Sequence, residues 1–227
     1  MPLARVATID TINNLSDGDI WRFMQTRRRV DGLSGDVAWA REHVQMLGRP
    51  QAATRTLAVE NVESDGISLE GGIRLESEKL PAFFDGAESA ILMAITIGPL
   101  VEAEVDRLFG ENQPVKALVL DAAGSALLHR ATSQVHHKLF IEAHQSGYKT
   151  GACLGPGGAH WDLSGQRAIF KSLPLDEMGF RLLSSCFVYP RKSSTRVMPI
   201  GRNLKVVSTP EESHCKYCTN KYCLARE

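Results

Sequence analysis

The chain has 227 residues, of which 43% are hydrophobic and 23% are charged, which is typical of a globular protein with a substantial core. Basic and acidic residues both number 26, so no excess of positive charge draws the protein to nucleic acid or to a membrane surface. No apolar run approaches the roughly 20 residues of a membrane-spanning helix, and the first residues lack the apolar core of a signal peptide. We therefore expect a cytoplasmic protein that uses neither nucleic acid nor a membrane.

The sequence predicts an N-terminal region of helices and strands over residues 1–86. Ser16 is placed to cap the first helix, and Gly71-Gly72 marks a turn or bulge. From apolar periodicity, the predicted elements are helices near 16–24 and over 34–47, followed by strands over 54–62 and 67–75.

A second region, residues 87–205, opens with a continuous apolar run that predicts a buried strand. Its predicted elements are a strand over 89–99, helices from about 100 and from 114 to about 145, a glycine-rich loop over 147–158, a helix from about 164 and a hairpin over 180–200. Because strands and helices do not alternate regularly, the predicted fold class is α+β, with a mixed or antiparallel sheet and packed helices.

Residues 206–227 form a cysteine-rich tail, in which Cys215, Cys218 and Cys223 follow a Cys-x2-Cys-x4-Cys pattern. Thiolates at this spacing suit an iron–sulfur cluster or, alternatively, zinc. The pattern leaves a fourth ligand open, and the candidates are Cys153 first, then His214 and Cys186. A tail of three inert thiols is the remaining interpretation.

Four segments between Ala90 and Arg202 carry a family resemblance when taken together and in order. They are Ala94–Pro99, the small-residue helix Ala117–Ser125, the loop Gly155-Pro156-Gly157 followed by Trp161, Leu163 and Gln166, and Tyr189–Ser193. In this order they resemble the activation domain of cobalamin-dependent methionine synthase and its stand-alone homologues. The resemblance implies that family's α+β fold, an S-adenosylmethionine site, and a partner that carries oxidised cobalamin awaiting reductive methylation.

Three positions depart from the family's ligand site. Cys153 stands where the family has arginine, Gly158 where it has tyrosine, and His129 near the position of a helix glutamate. These departures count against S-adenosylmethionine binding by this chain. The candidate cofactor-binding residues are His129, Gly157, Gly158, His160 and Arg191.

The sequence therefore predicts an accessory protein of a corrinoid-dependent methyltransferase system. It would dock on a cobalamin protein and carry an iron–sulfur or other metal centre. The alternative is a non-catalytic zinc- or metal-binding interaction or assembly protein on the same scaffold.

Overall fold

A computed structural model describes residues 5–9, 15–24, 30 and 32–210 of the chain. The helices are α1 (Asp17–Phe23), α2 (Ser34–Leu47), α3 (Leu100–Gly110), α4 (Pro114–Gln145) and α5 (Gln166–Ser172). The strands are β1 (Arg5–Thr8), β2 (Gln51–Glu63), β3 (Gly66–Leu69), β4 (Ile73–Glu76), β5 (Ser89–Thr96), β6 (Lys149–Thr150), β7 (Arg181–Leu182), β8 (Val188–Tyr189) and β9 (Ser193–Gly201).

One antiparallel sheet organises the fold. Its strands lie in the order β4-β3-β2-β5-β9-β6, and β1 pairs with the first part of β2. β5 lies between β2 and β9 and pairs with each along its whole length, from Ser89 to Thr96. Helices pack against this sheet, so the predicted α+β class is confirmed.

The two faces of β5 belong to different cores, because successive side chains of a strand point to opposite sides. Ile91, Met93 and Ile95 face a core formed with α1 to α4. Ala90, Leu92 and Ala94 face a second core, which includes residues of β3, β4 and α5 together with Trp161. The full burial of β5 on both sides explains its unbroken apolar sequence.

Local signals in the sequence locate several helix ends. Ser16 caps α1 in a capping box with Asp19, and α2 covers the predicted residues 34–47. α4 begins at Pro114, where the missing N–H of proline costs no helical hydrogen bond. A Cβ atom at Gly124 would lie 3.0 Å from Val101 Cγ1, which shows how closely α3 and α4 pack at the small-residue segment.

The predicted hairpin over residues 180–200 is wrong in its second half. β7 and β8 do form a short hairpin, which ends at Tyr189. β9 then leaves it and enters the main sheet between β5 and β6. Local alternation identified a strand here, but its partner β5 lies about a hundred residues earlier in the chain.

The predicted division near residue 86 falls between β4 and β5. Strands on both sides of that point pair in one sheet, since β2 is hydrogen-bonded to β5. The division into three regions stays a prediction. Within the residues that the structure describes, no helix has the length and apolar character needed to cross a membrane.

Candidate functional site

A pocket of about 390 Å³ opens beside the first half of β9. The glycine-rich loop forms one wall, and the segment that leads from β8 into β9 forms another. Its lining residues are Gly155, Pro156, Gly157, Gly158, Leu163, Gln166, Phe187, Val188, Arg191, Ser193, Ser194, Thr195 and Arg196.

Backbone contacts hold the glycine-rich loop against β9. Leu154 and Val197 exchange two hydrogen bonds, of 2.9 and 2.8 Å between nitrogen and oxygen. A Cβ atom at Gly155 would lie 2.9 Å from the carbonyl oxygen of Thr195, so a larger residue would push the loop away from the strand. Gly157 has a φ of 85°, which favours glycine. The glycines therefore set the shape of this wall.

Arg191 lies at the pocket but is already bound to protein carboxylates. Its backbone N–H donates to Glu102 Oε2 at 2.7 Å, and its side chain donates to Glu102 Oε2 at 3.3 Å and to Asp106 Oδ1 at 2.8 Å. Hydrogen bonding to Asp106, and then to Glu102, raises the pKa of the Arg191 guanidinium. Glu102 is buried on α3, so this arrangement ties the pocket wall to the helices.

Arg196 has a different environment. Its Nε donates to Ser194 Oγ at 3.0 Å, and its positive charge partly offsets the effect of burial on the pKa of the Cys153 thiol. No carboxylate among the described residues forms an ion pair with it. The pocket therefore contains one guanidinium that the described part of the chain does not neutralise.

The remaining walls combine apolar and hydrogen-bonding groups. Phe187 is 62% exposed at the pocket, next to Val188, and Leu163 adds a further apolar surface. Thr195 Oγ1 donates to Gln166 Oε1 at 2.8 Å in a buried contact between β9 and α5. Such a mixture suits a ligand with one apolar part and one polar part.

Three of the five candidate cofactor residues line this pocket, namely Gly157, Gly158 and Arg191. The other two lie outside its lining. His160 packs its ring 4.9 Å from that of Phe83, and His129 on α4 packs 5.7 Å from that of Phe23. Burial, followed by the charges of Arg22, Arg196 and Arg130, lowers the pKa of His129.

The predicted metal ligands Cys215, Cys218 and Cys223, with the alternative His214, lie outside the described residues. Within the described ranges, no group of three or more histidine, cysteine, aspartate or glutamate side chains is arranged to hold a metal ion.

Cys153 has the surroundings of a core thiol. It is only 3% exposed, its sulfur lies 4.0 Å from Met93 Sδ, and burial raises the pKa of the thiol to about 11. Metal ligation requires a thiolate, which this environment disfavours. Cys186 is also buried, at the tip of the β7–β8 hairpin. The identity of a fourth ligand stays a prediction.

The sequence did not single out Phe187 or Arg196, whereas Gln166 belongs to the loop motif that carries the family resemblance. The motif Tyr189–Ser193 pointed to the correct segment but ended three residues before Arg196. An arginine within an alternating strand resembles a residue of the solvent-facing side, and nothing local distinguishes it. Only the approach of the glycine-rich loop makes this part of β9 a pocket wall.

Comparisons with known proteins support the fold. No family model matches the sequence, and no curated protein matches it. Among solved structures, the crystal structure of the MetH reactivation domain bound to AdoHcy superimposes with a TM-score of 0.61. The match covers 91% of this chain and 81% of that chain, at 10% sequence identity. The chain therefore has the fold of the MetH reactivation domain, and the resemblance expected from the sequence is confirmed at the level of the fold.

Proposed function

We propose that the chain is an accessory protein of a corrinoid-dependent methyltransferase system and that its pocket binds an S-adenosyl compound. The observation that carries this proposal is the combination of the fold with a pocket of suitable chemistry. The solved domain with this fold holds AdoHcy, S-adenosylhomocysteine. The present chain has a pocket lined by glycines, hydroxyl groups and an exposed aromatic ring.

The residues of the pocket fit such a ligand. Its volume of about 390 Å³ lies within the range of small-molecule sites, and the glycine wall allows a ligand to approach the backbone closely. Gly158 leaves this wall open at the position where the family carries tyrosine. When bound, S-adenosylmethionine would supply an activated methyl group on its sulfonium. The chain's own residues would hold and orient the ligand, while cobalamin would come with the partner protein.

Calorimetry with S-adenosylhomocysteine tests the binding step. We expect one ligand per wild-type chain and no binding by Ser194→Trp, because the indole would fill the pocket. Ser146→Trp adds the same ring at the exposed end of α4 and should bind like the wild type. Thermal melting would verify that both variants are folded. A wild-type protein that releases no heat with S-adenosylhomocysteine or S-adenosylmethionine would contradict the proposal.

The accessory role is tested with a purified corrinoid protein of a methyltransferase system. That protein would be prepared with oxidised cobalamin and mixed anaerobically with S-adenosylmethionine and a reductant. We expect absorbance changes of methylcobalamin formation only when the chain is present. Formation at the same rate without the chain would argue against an accessory role.

We further propose that Cys215, Cys218 and Cys223 hold an iron–sulfur cluster, with zinc as the alternative. Support comes from the spacing of these cysteines and from the place where the described part of the tail, residues 206–210, lies. Ser208 and Thr150 are joined by two hydrogen bonds, of 3.0 and 3.1 Å, so the tail begins beside the start of the glycine-rich loop. A cluster would suit electron delivery to cobalamin, whereas zinc would favour the interaction or assembly protein.

Metal analysis separates these possibilities. Anaerobically purified protein would be assayed for iron, zinc and absorbance near ~400 nm, as thiolate-bound clusters are coloured and zinc is not. Replacement of the three tail cysteines by serine should abolish the bound metal. Cys153→Ser tests the fourth ligand: unchanged metal content would exclude Cys153 and favour His214.

A further inference from the structure

We propose that Arg196 binds the carboxylate of the ligand in this pocket and thereby selects nucleosides that carry an amino acid. This inference rests on the proposed function, because it assigns a residue to the ligand of the same site. It concerns the polar end of the ligand, which neither the fold nor the comparisons assign to any residue of this chain.

The first argument is the charge of the pocket. Its lining includes two arginines, Arg191 and Arg196, and no aspartate or glutamate among the described residues. Arg191 is neutralised by Glu102 and Asp106. Among the described residues, the hydrogen-bond partner of the Arg196 side chain is the neutral hydroxyl group of Ser194. The described residues thus leave one positive charge of the pocket unpaired, and an anionic group of a ligand would complement it.

The second argument is the rigidity with which Arg196 is held. It lies in β9, whose other edge pairs with β5, and it is directly opposite Met93. Its Cγ would lie 3.8 Å from a Cβ atom built on Gly155, so the side chain runs along the glycine wall. The hydrogen bond from Nε to Ser194 Oγ fixes the guanidinium plane and leaves the two terminal nitrogens for a planar carboxylate.

The third argument is the position of Arg196 relative to the glycine-rich loop. Cys153 stands where the family carries its loop arginine, and Arg196 lies beside Gly155, two residues further along the same loop, with its Cγ 3.8 Å from a Cβ atom built on that glycine. A guanidinium is therefore present in this part of the site, although it comes from the strand rather than from the loop. The loss of the loop arginine does not leave the pocket without a group for a carboxylate.

A comparison of two ligands tests the assignment. S-adenosylhomocysteine and 5′-methylthioadenosine are both uncharged at sulfur, and only the first carries the amino acid. We expect the wild type to bind S-adenosylhomocysteine about 10- to 100-fold more tightly than 5′-methylthioadenosine, as a charge-assisted hydrogen bond contributes about 1.5–3 kcal/mol. Arg196→Gln should lose this preference while binding 5′-methylthioadenosine like the wild type.

Two further variants control the measurement. Arg167→Gln removes an exposed guanidinium from α5, outside the pocket lining, and should keep the full preference. Arg196→Lys keeps the positive charge and should retain part of the preference for S-adenosylhomocysteine. If Arg196→Gln binds neither ligand, the pocket is altered, and Arg196→Lys then decides: a preference for S-adenosylhomocysteine in that variant supports the assignment, and binding of both ligands without a preference overturns it.

The remaining outcomes separate this inference from the proposed function. Full preference in Arg196→Gln would show that another residue binds the carboxylate. Equal wild-type affinities for the two ligands would show that the pocket does not recognise the carboxylate, although it binds the nucleoside. A wild type that binds neither ligand would overturn the proposed function itself.

Discussion

The two faces of the central sheet differ in what holds them together. Against one face, α1 to α4 pack through apolar side chains such as Leu120 and Met93. On the other face lies a second apolar core, which includes Leu92 and Trp161. At the pocket beside β9, however, backbone hydrogen bonds and closely packed glycines hold the wall, and Arg196 has no carboxylate partner among the described residues. The helical face supplies stability, whereas the pocket side keeps polar groups available for a ligand. Polar groups that bind a ligand need some hydrogen-bonding capacity that no other protein group already uses.

The largest expected effect contrasts a core residue with a pocket residue. Leu120→Ala removes a fully buried side chain of α4 and should lower the free energy of unfolding by about 2–5 kcal/mol. Phe187→Ala removes a side chain that is 62% exposed and should change it by less than about 0.5 kcal/mol. Urea denaturation under identical conditions measures both. Equal losses would mean that the pocket side is as important for stability as the helical face.

A smaller effect is expected where the two sides meet, at Glu102 and Arg191. Glu102→Gln replaces a buried carboxylate that accepts two hydrogen bonds from Arg191, and should cost about 1–3 kcal/mol of stability. Glu111→Gln is the matched control, because its ion pair with Arg107 is exposed and contributes at most about 0.5 kcal/mol. If the two variants unfold at the same urea concentration, the buried pair does not anchor the pocket wall.

The smallest effect is a pH dependence on the helical side, at His129. Burial lowers its pKa in the folded protein, so the unfolded chain binds a proton more readily than the folded chain. Stability should therefore be complete above about pH 6.5, the ordinary histidine pKa, and fall as the pH decreases below it.

Stability curves between about pH 7 and pH 5 check this expectation. His129→Asn should show a smaller fall than the wild type. His137→Asn, on the exposed side of α4, controls for the loss of an imidazole. If the wild type and His129→Asn lose the same stability as the pH decreases, protonation of His129 does not contribute to that loss.

The helices could be predicted closely from the sequence because their signals are local. α2 and α4 show helical periodicity and are bounded by glycine or proline, and their observed limits agree with the predicted ones. The pairing of β9 could not be predicted in this way. Its partners β5 and β6 are distant in the chain, and a strand's own residues do not specify which strand lies beside it.

The sequence identified only part of the pocket lining, because some of its residues come together only through tertiary contacts. Gly157, Gly158 and Arg191 were chosen because they lie within segments that carry the family resemblance, and all three line the pocket. His129 and His160 were chosen by position in the sequence, and the folded chain places them against aromatic rings outside the pocket lining. Arg196 required the tertiary structure.

The burial of β5 on both faces offers a practical means of observation. Leu92 and Met93 are neighbours in the chain, yet their methyl groups lie in separate cores on opposite sides of the sheet. In a protein with isotope-labelled methyl groups, the nuclear magnetic resonance signals of Leu92 and of Met93 would report independently on the two sides of the sheet. A titration with a nucleoside would then reveal which half senses the ligand, without any substitution in the chain.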